Sequence, residues 1–102
     1  MTHTQNVEAI IAQLIREKQR LATAYEEAEE QNRHLYNRVL VWEEAYIASG
    51  KSEAVGRTLD EVYKEYSEAN EAMCEAEEKL EAIKEAIEAL RKGVEAIRWM
   101  GL

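Results

Sequence analysis

The sequence predicts an all-α protein: a long antiparallel two-helix hairpin of coiled-coil type, two copies of which join into a four-helix bundle. Three observations predict it. The 102 residues include no proline and no phenylalanine, and 33% are charged, a make-up typical of long helices rather than sheets. Apolar residues recur in alternating steps of four and three over nearly the whole chain. One break, around Gly50, divides that repeat into two halves.

The first helix is expected over about residues 4–48. Its stepping picks out Val7, Ile11, Leu14, Lys18, Leu21, Tyr25, Ala28, Asn32, Leu35, Val39, Trp42 and Tyr46, of which ten of twelve are apolar. A period of 3.5 cannot serve a strand, so this stripe must be buried against another helix. A polar residue on such a stripe, here Asn32 and Lys18, fixes register at some cost in stability, and Lys18 can carry its ammonium out to water. Thr2 with Gln5 makes a capping box at the start.

The connection is expected over about residues 49–57. Gly50 stops the first helix, and Ser52 is able to cap the second one directly. Thr58, followed three residues later by Glu61 and preceded by Gly56, is the better capping box. The second helix is therefore expected to be regular from Thr58, with a start near residue 52 as the alternative. Gly50-Lys51-Ser52 also spells the end of a phosphate-binding P-loop. That loop needs glycine five places earlier, where Ala45 stands, and a strand before it, where the helical stripe carries Trp42 and Tyr46. The tripeptide reads as a turn.

The second helix runs to about residue 99. The stepping continues through Val55, Leu59, Val62, Tyr66, Ala69, Met73, Ala76, Leu80, Ile83, Ile87, Leu90, Val94 and Ile97 without a polar interruption. A short connection makes consecutive helices antiparallel. Pairing core layers so that residue numbers sum to 101 sets Leu35 against Tyr66, Val39 against Val62, and Tyr25 against Ala76, large against small. The same register brings Arg38 near Glu65, Glu8 near Arg91 and Tyr36 near Tyr63. All 102 residues are read as one helical-hairpin domain.

Two helices of this length leave apolar surface uncovered. Small residues recur at Ala82, Ala86, Ala89, Gly93 and Ala96 and end at Met100, a second stripe on which a neighbouring helix can approach closely. With Ile10 and Trp99 near the open end of the hairpin, this stripe is the expected interface with a second copy. A further apolar strip on the other flank comprises Ile15, Ala22, Tyr36, Leu40, Ile47 and Tyr63.

The net charge is −8, from 21 acidic against 13 basic residues. That balance opposes direct binding of nucleic-acid phosphates or of anionic membranes and favours basic partners. No apolar run approaches membrane-spanning length. One cysteine, Cys74, and the lack of a signal-like start make a reducing cytoplasm the expected setting. The acid is concentrated in a belt of ten carboxylates: Glu26, Glu27, Glu29 and Glu30 on the first helix, and Glu65, Glu68, Glu71, Glu75, Glu77 and Glu78 on the second.

Chemistry beyond packing finds few candidates. His3 lies at an end and His34 on an outward position four residues after Glu30, which is not the Glu-x-x-His spacing of bundle di-iron sites. Cys74 has no histidine placed to activate it. Glu68-x-x-Glu71 and Glu85-x-x-Glu88 have spacing like that of the Mg²⁺ ligands of all-α nucleotide pyrophosphohydrolases. Asp60 is the only aspartate, however, and a rod has no concave pocket unless an oligomer makes one. The sequence is therefore read as a non-enzymatic interaction module, an assembly, adaptor or regulatory subunit, without cofactor or metal. The alternative is an acidic inhibitor that imitates nucleic-acid phosphates in a partner's basic groove, and a Mg²⁺-dependent hydrolase stands third.

Overall fold

The protein is described here by a computed structural model covering residues 3–101. Two helices account for nearly all of it: α1, His3–Ala48, and α2, Glu53–Trp99. They lie antiparallel along each other in a rod of 75 × 17 × 14 Å. No strand occurs among the described residues. The Thr2 capping box falls outside them.

The 3.5-residue repeat directs the packing. None of the twelve stepped positions of α1 or the thirteen of α2 is exposed; each is buried or half-buried. The most enclosed side chains are Leu35 and Val39 of α1 and Leu59, Val62, Leu80, Ile87 and Val94 of α2, with Val62 only 2% exposed. Lys18 and Asn32 are half-buried on the same stripe. The Asn32 side-chain amide donates to the Asn70 side-chain oxygen across the pair at 3.5 Å, so the polar core position is tied to the opposite helix.

The turn is short. The Lys51 amide donates to the Tyr46 carbonyl at 2.9 Å and the Gly50 amide to the Ile47 carbonyl at 3.1 Å, the paired bonds of a Schellman motif. Gly50 takes φ 71°, and Lys51 follows with φ 63°, so two successive residues are left-handed. The Ser49 hydroxyl donates to the Tyr46 carbonyl at 2.8 Å and accepts from the Ser52 amide at 3.2 Å. One side chain thereby satisfies groups from both sides of the bend.

Here the structure corrects the expected boundary, because α2 is regular from Glu53 rather than from Thr58. Ser52 is the N-cap residue, without a hydrogen bond from its side chain. The Thr58 hydroxyl instead donates to the Ala54 carbonyl at 3.4 Å, one turn back inside the helix. The cause is packing: Val55 is half-buried and Leu59 buried, and burying that apolar phase outweighs a cap that would have cost a turn and a half of helix.

The cross-helix register lies within a residue of the predicted one near the turn. Tyr36 packs on Tyr66, ring centroids 5.9 Å apart and tilted by 47°, and Arg38 meets Glu65 at 3.1 Å. Two predicted neighbours differ. Tyr36 packs on Tyr66 rather than on Tyr63, whose phenol lies beside the Glu43 carboxylate. Glu8 pairs with Arg98 instead of Arg91, although Glu8 and both arginines line one shallow groove.

Candidate protein interface

The second stripe of α2 stands clear of the hairpin core. Ala82, Ala86, Ala89, Gly93 and Ala96 are all exposed, and a methyl group added at Gly93 would meet nothing within 4 Å. The stripe ends where the Met100 amide closes on the Ala96 carbonyl at 3.1 Å. Around the open end the large side chains are also uncovered: Ile10 is 46%, Met100 65% and Trp99 88% exposed. On the other flank Tyr36, Leu40, Ile47 and Tyr63 are exposed, whereas Ile15 and Ala22 are half-buried.

Sequence reasoning did not single out Val41, which is 63% exposed. The signal was the run Val39-Leu40-Val41, in which one residue alone can belong to the core stripe. It also missed a groove of about 650 Å³ between the helices, with Leu21, Ala24, Ala72, Ala76, Ala82 and Ile83 among its walls. A smaller one of about 430 Å³ follows toward the turn beside Ala28, Ala69 and Ala72. Alanines on both helices at these levels leave volume that larger side chains would fill.

All ten belt carboxylates are exposed. Glu29 accepts from Arg33 at 3.4 Å and Glu65 from Arg38 at 3.1 Å, exposed pairs that stabilise by at most about 1 kcal/mol. Partial desolvation, aided by a hydrogen bond with Glu29, raises the Tyr25 phenol above its ordinary value. The free thiol of Cys74 is exposed, in a shallow groove with Glu77, Glu78, Glu81 and Glu85. Among the described residues no group of three or more His, Cys, Asp or Glu side chains is arranged to hold a metal ion. Neither Glu-x-x-Glu pair thus gains a third ligand. No helix among those residues is long and apolar enough to cross a membrane.

Folding the chain in half sorts its charge along the rod. The open-end segment, residues 3–23 and 79–101, carries eight basic and six acidic residues, net +2. The middle segment, residues 24–35 and 65–78, carries Arg33 against the ten belt glutamates, net −9. The turn segment, residues 36–64, has four basic and five acidic residues, net −1.

Comparison with protein-family models, curated proteins and solved structures gives no significant match.

Proposed function

We propose that the hairpin is a non-enzymatic protein–protein interaction module, an assembly, adaptor or regulatory subunit that works by helix packing. Its first partner is a second copy of itself, which completes a four-helix bundle over the small-residue stripe. The observation that carries this reading is the uncovered apolar surface at the open end, where Trp99 is 88% exposed beside Met100 at 65%. Bulky apolar groups left in water mark a surface that another protein covers. The neighbouring stripe from Ala82 to Ala96 lets a helix backbone come close, and the belt sets association rate and partner choice. The free Cys74 thiol suits a reducing, cytoplasmic setting.

Light scattering on a size-exclusion column tests it. At tens of micromolar the expected mass is twice the 11.8 kDa of one chain, and a strictly monomeric species rejects the bundle. Ala89→Glu is expected to return the protein to monomer with its helicity kept. Unchanged mass in that variant would remove the stripe from the interface.

A second reading is supported by the exposure of all ten belt carboxylates: an inhibitor that offers them to a basic, phosphate-binding groove on another protein. Added salt separates the two readings. It weakens a complex made by surface charge and leaves an apolar helix interface nearly unchanged.

A further inference from the structure

The self-association just proposed, on which this inference rests, has one register that the shape of the hairpin favours. Ala72, Lys79, Ala86, Gly93 and Met100 follow one another at intervals of seven, so they lie on one line along α2. At one end of that line Met100 is a bulky apolar group, 65% exposed. At the other end Ala72 and Lys79 are walls of the largest groove, about 650 Å³, whose α2 side runs from Ala72 to Ile83. Surplus bulk and missing volume thus stand on the same face, with the exposed small residues Ala86, Ala89, Gly93 and Ala96 between them.

A two-fold axis perpendicular to the rod brings to one level residues whose numbers have a constant sum. The stripe is symmetric about Ala89, which lies seven residues from Ala82 and seven from Ala96, a sum of 178. The groove, centred between residues 77 and 78, gives the same sum with Met100 to within one residue. Glu85 and Lys92, seven apart on the stripe's outer edge, sum to 177. We infer that two copies pair antiparallel through this face about an axis at Ala89, each seating its Met100 in the partner's groove, about 17 Å along α2 from the axis. The stripes then meet small against small. Glu85 falls within one residue of the partner's Lys92, and the reverse, while Lys92 also reaches Glu88 within its own helix at 3.2 Å. No charged residue of α2 from Lys79 to Arg98 comes level with another charge of the partner's α2. Ile10 precedes the groove walls Glu17 and Ala24 by seven and fourteen residues and so belongs to the same face. Its exposed side chain lies near the axis, because Ile11 shares a groove with Arg91 and Val94. Every belt carboxylate of α2 falls past the end of the partner's α2 at Trp99, so the two belts do not meet.

Cysteine cross-linking in a Cys74→Ser background tests this register, since in an antiparallel pair only a residue on the axis can be bridged to its own copy. Under oxidised glutathione Ala89→Cys is expected to give a disulfide-linked dimer. Ala82→Cys and Ala96→Cys are each expected to stay unlinked alone and to link to each other when mixed. Met100→Ala, with helicity checked by far-UV circular dichroism, is expected to raise the dimer dissociation constant several-fold in analytical ultracentrifugation. Linking by Ala82→Cys alone or Ala96→Cys alone, none in their mixture, or none by Ala89→Cys in a protein that still sediments as a dimer overturns the register and leaves self-association standing. An unchanged dissociation constant in Met100→Ala overturns the seating of Met100 in the groove. A protein that is monomeric throughout overturns the association itself.

Discussion

A Cβ built on Gly56 of α2 would lie 3.2 Å from Cε2 of Tyr46 on α1 and 3.8 Å from its Cδ2. The glycine lets the tyrosine ring lie against the first turn of α2 where the chain has just reversed. Ala in place of Gly inside a helix is ordinarily worth about 1 kcal/mol. Gly56→Ala should gain little or nothing, because the ring must give way. Gly93 has nothing within 4 Å of an added Cβ, so Gly93→Ala should gain the full amount, a rise of about 4–8 °C for a chain of this size. Thermal unfolding followed by circular dichroism at high dilution decides; equal gains at both sites would mean that the ring does not resist.

Lys51 is the one non-glycine residue at positive φ among the described residues. A side chain in that conformation costs roughly 1–2 kcal/mol, of which glycine's greater freedom in the unfolded chain takes back part. Lys51→Gly should therefore stabilise the hairpin by about 0.5–1 kcal/mol, and Gly50→Ala should destabilise it by about 1–2 kcal/mol. Urea unfolding of the two variants measures both, and a loss of stability in Lys51→Gly would contradict the strained turn.

Enclosure is uneven along α1. Leu35 and Val39 are buried, yet no described side chain before Leu35 is more than half-buried. Amide hydrogen exchange should accordingly be faster over residues 7–25 than over residues 35–46, since local opening follows the burial that holds a segment. Val62→Ala, at 2% exposure, should cost roughly 2–3 kcal/mol, and Val41→Ala, at 63%, less than about 0.5 kcal/mol. Uniform exchange along α1 would reject this gradient.

Two phenols titrate late. Tyr63 is raised above the ordinary 10.0 by partial desolvation first and then by the carboxylate of Glu43, and Tyr25 is raised by desolvation and by Glu29. A raised folded-state pKa contributes stability that is complete below the unfolded value and lost as pH climbs through the folded one. Stability is thus expected to hold up to about pH 10 and to fall above it. In an ultraviolet titration Glu43→Gln should shift one of the two late phenols to lower pH; an unchanged curve would remove the Glu43 contact.

Much of this architecture was legible because inside and outside follow from period alone. All stepped positions from Val7 to Ile97 avoid exposure, and Arg38 meets Glu65 as the register required. The misses have separate physical causes. Arg91 and Arg98 lie one heptad apart on the same flank, and long side chains can reach either level, so spacing alone could not choose which one Glu8 would take. At the turn two local signals conflicted, the apolar phase back to Val55 and the capping box at Thr58, and the tertiary term prevailed. The grooves escaped notice because sizes were matched only across facing core pairs such as Tyr25 and Ala76, whereas Ala24, Ala72 and Ala82, which line the groove, flank that stripe. The stripe from Ala82 to Ala96 was visible as a pattern, since any surplus apolar face is, but a pattern on one chain does not name what covers it.

The tight reversal at Gly50 and Lys51 also fixes how the rod answers to mechanical load. Because α1 and α2 differ by a single residue in length, 46 against 47, their far ends lie side by side at one tip of a 75 Å rod. Tension applied across that tip pries the helices apart one core layer at a time, beginning with half-buried Val7, Ile11 and Ile97 and arriving last at Tyr46 and Val55 beside the bend. The same tension applied between the tip and the bend would load every layer in parallel. The hairpin is soft as a zipper and stiff as a strut.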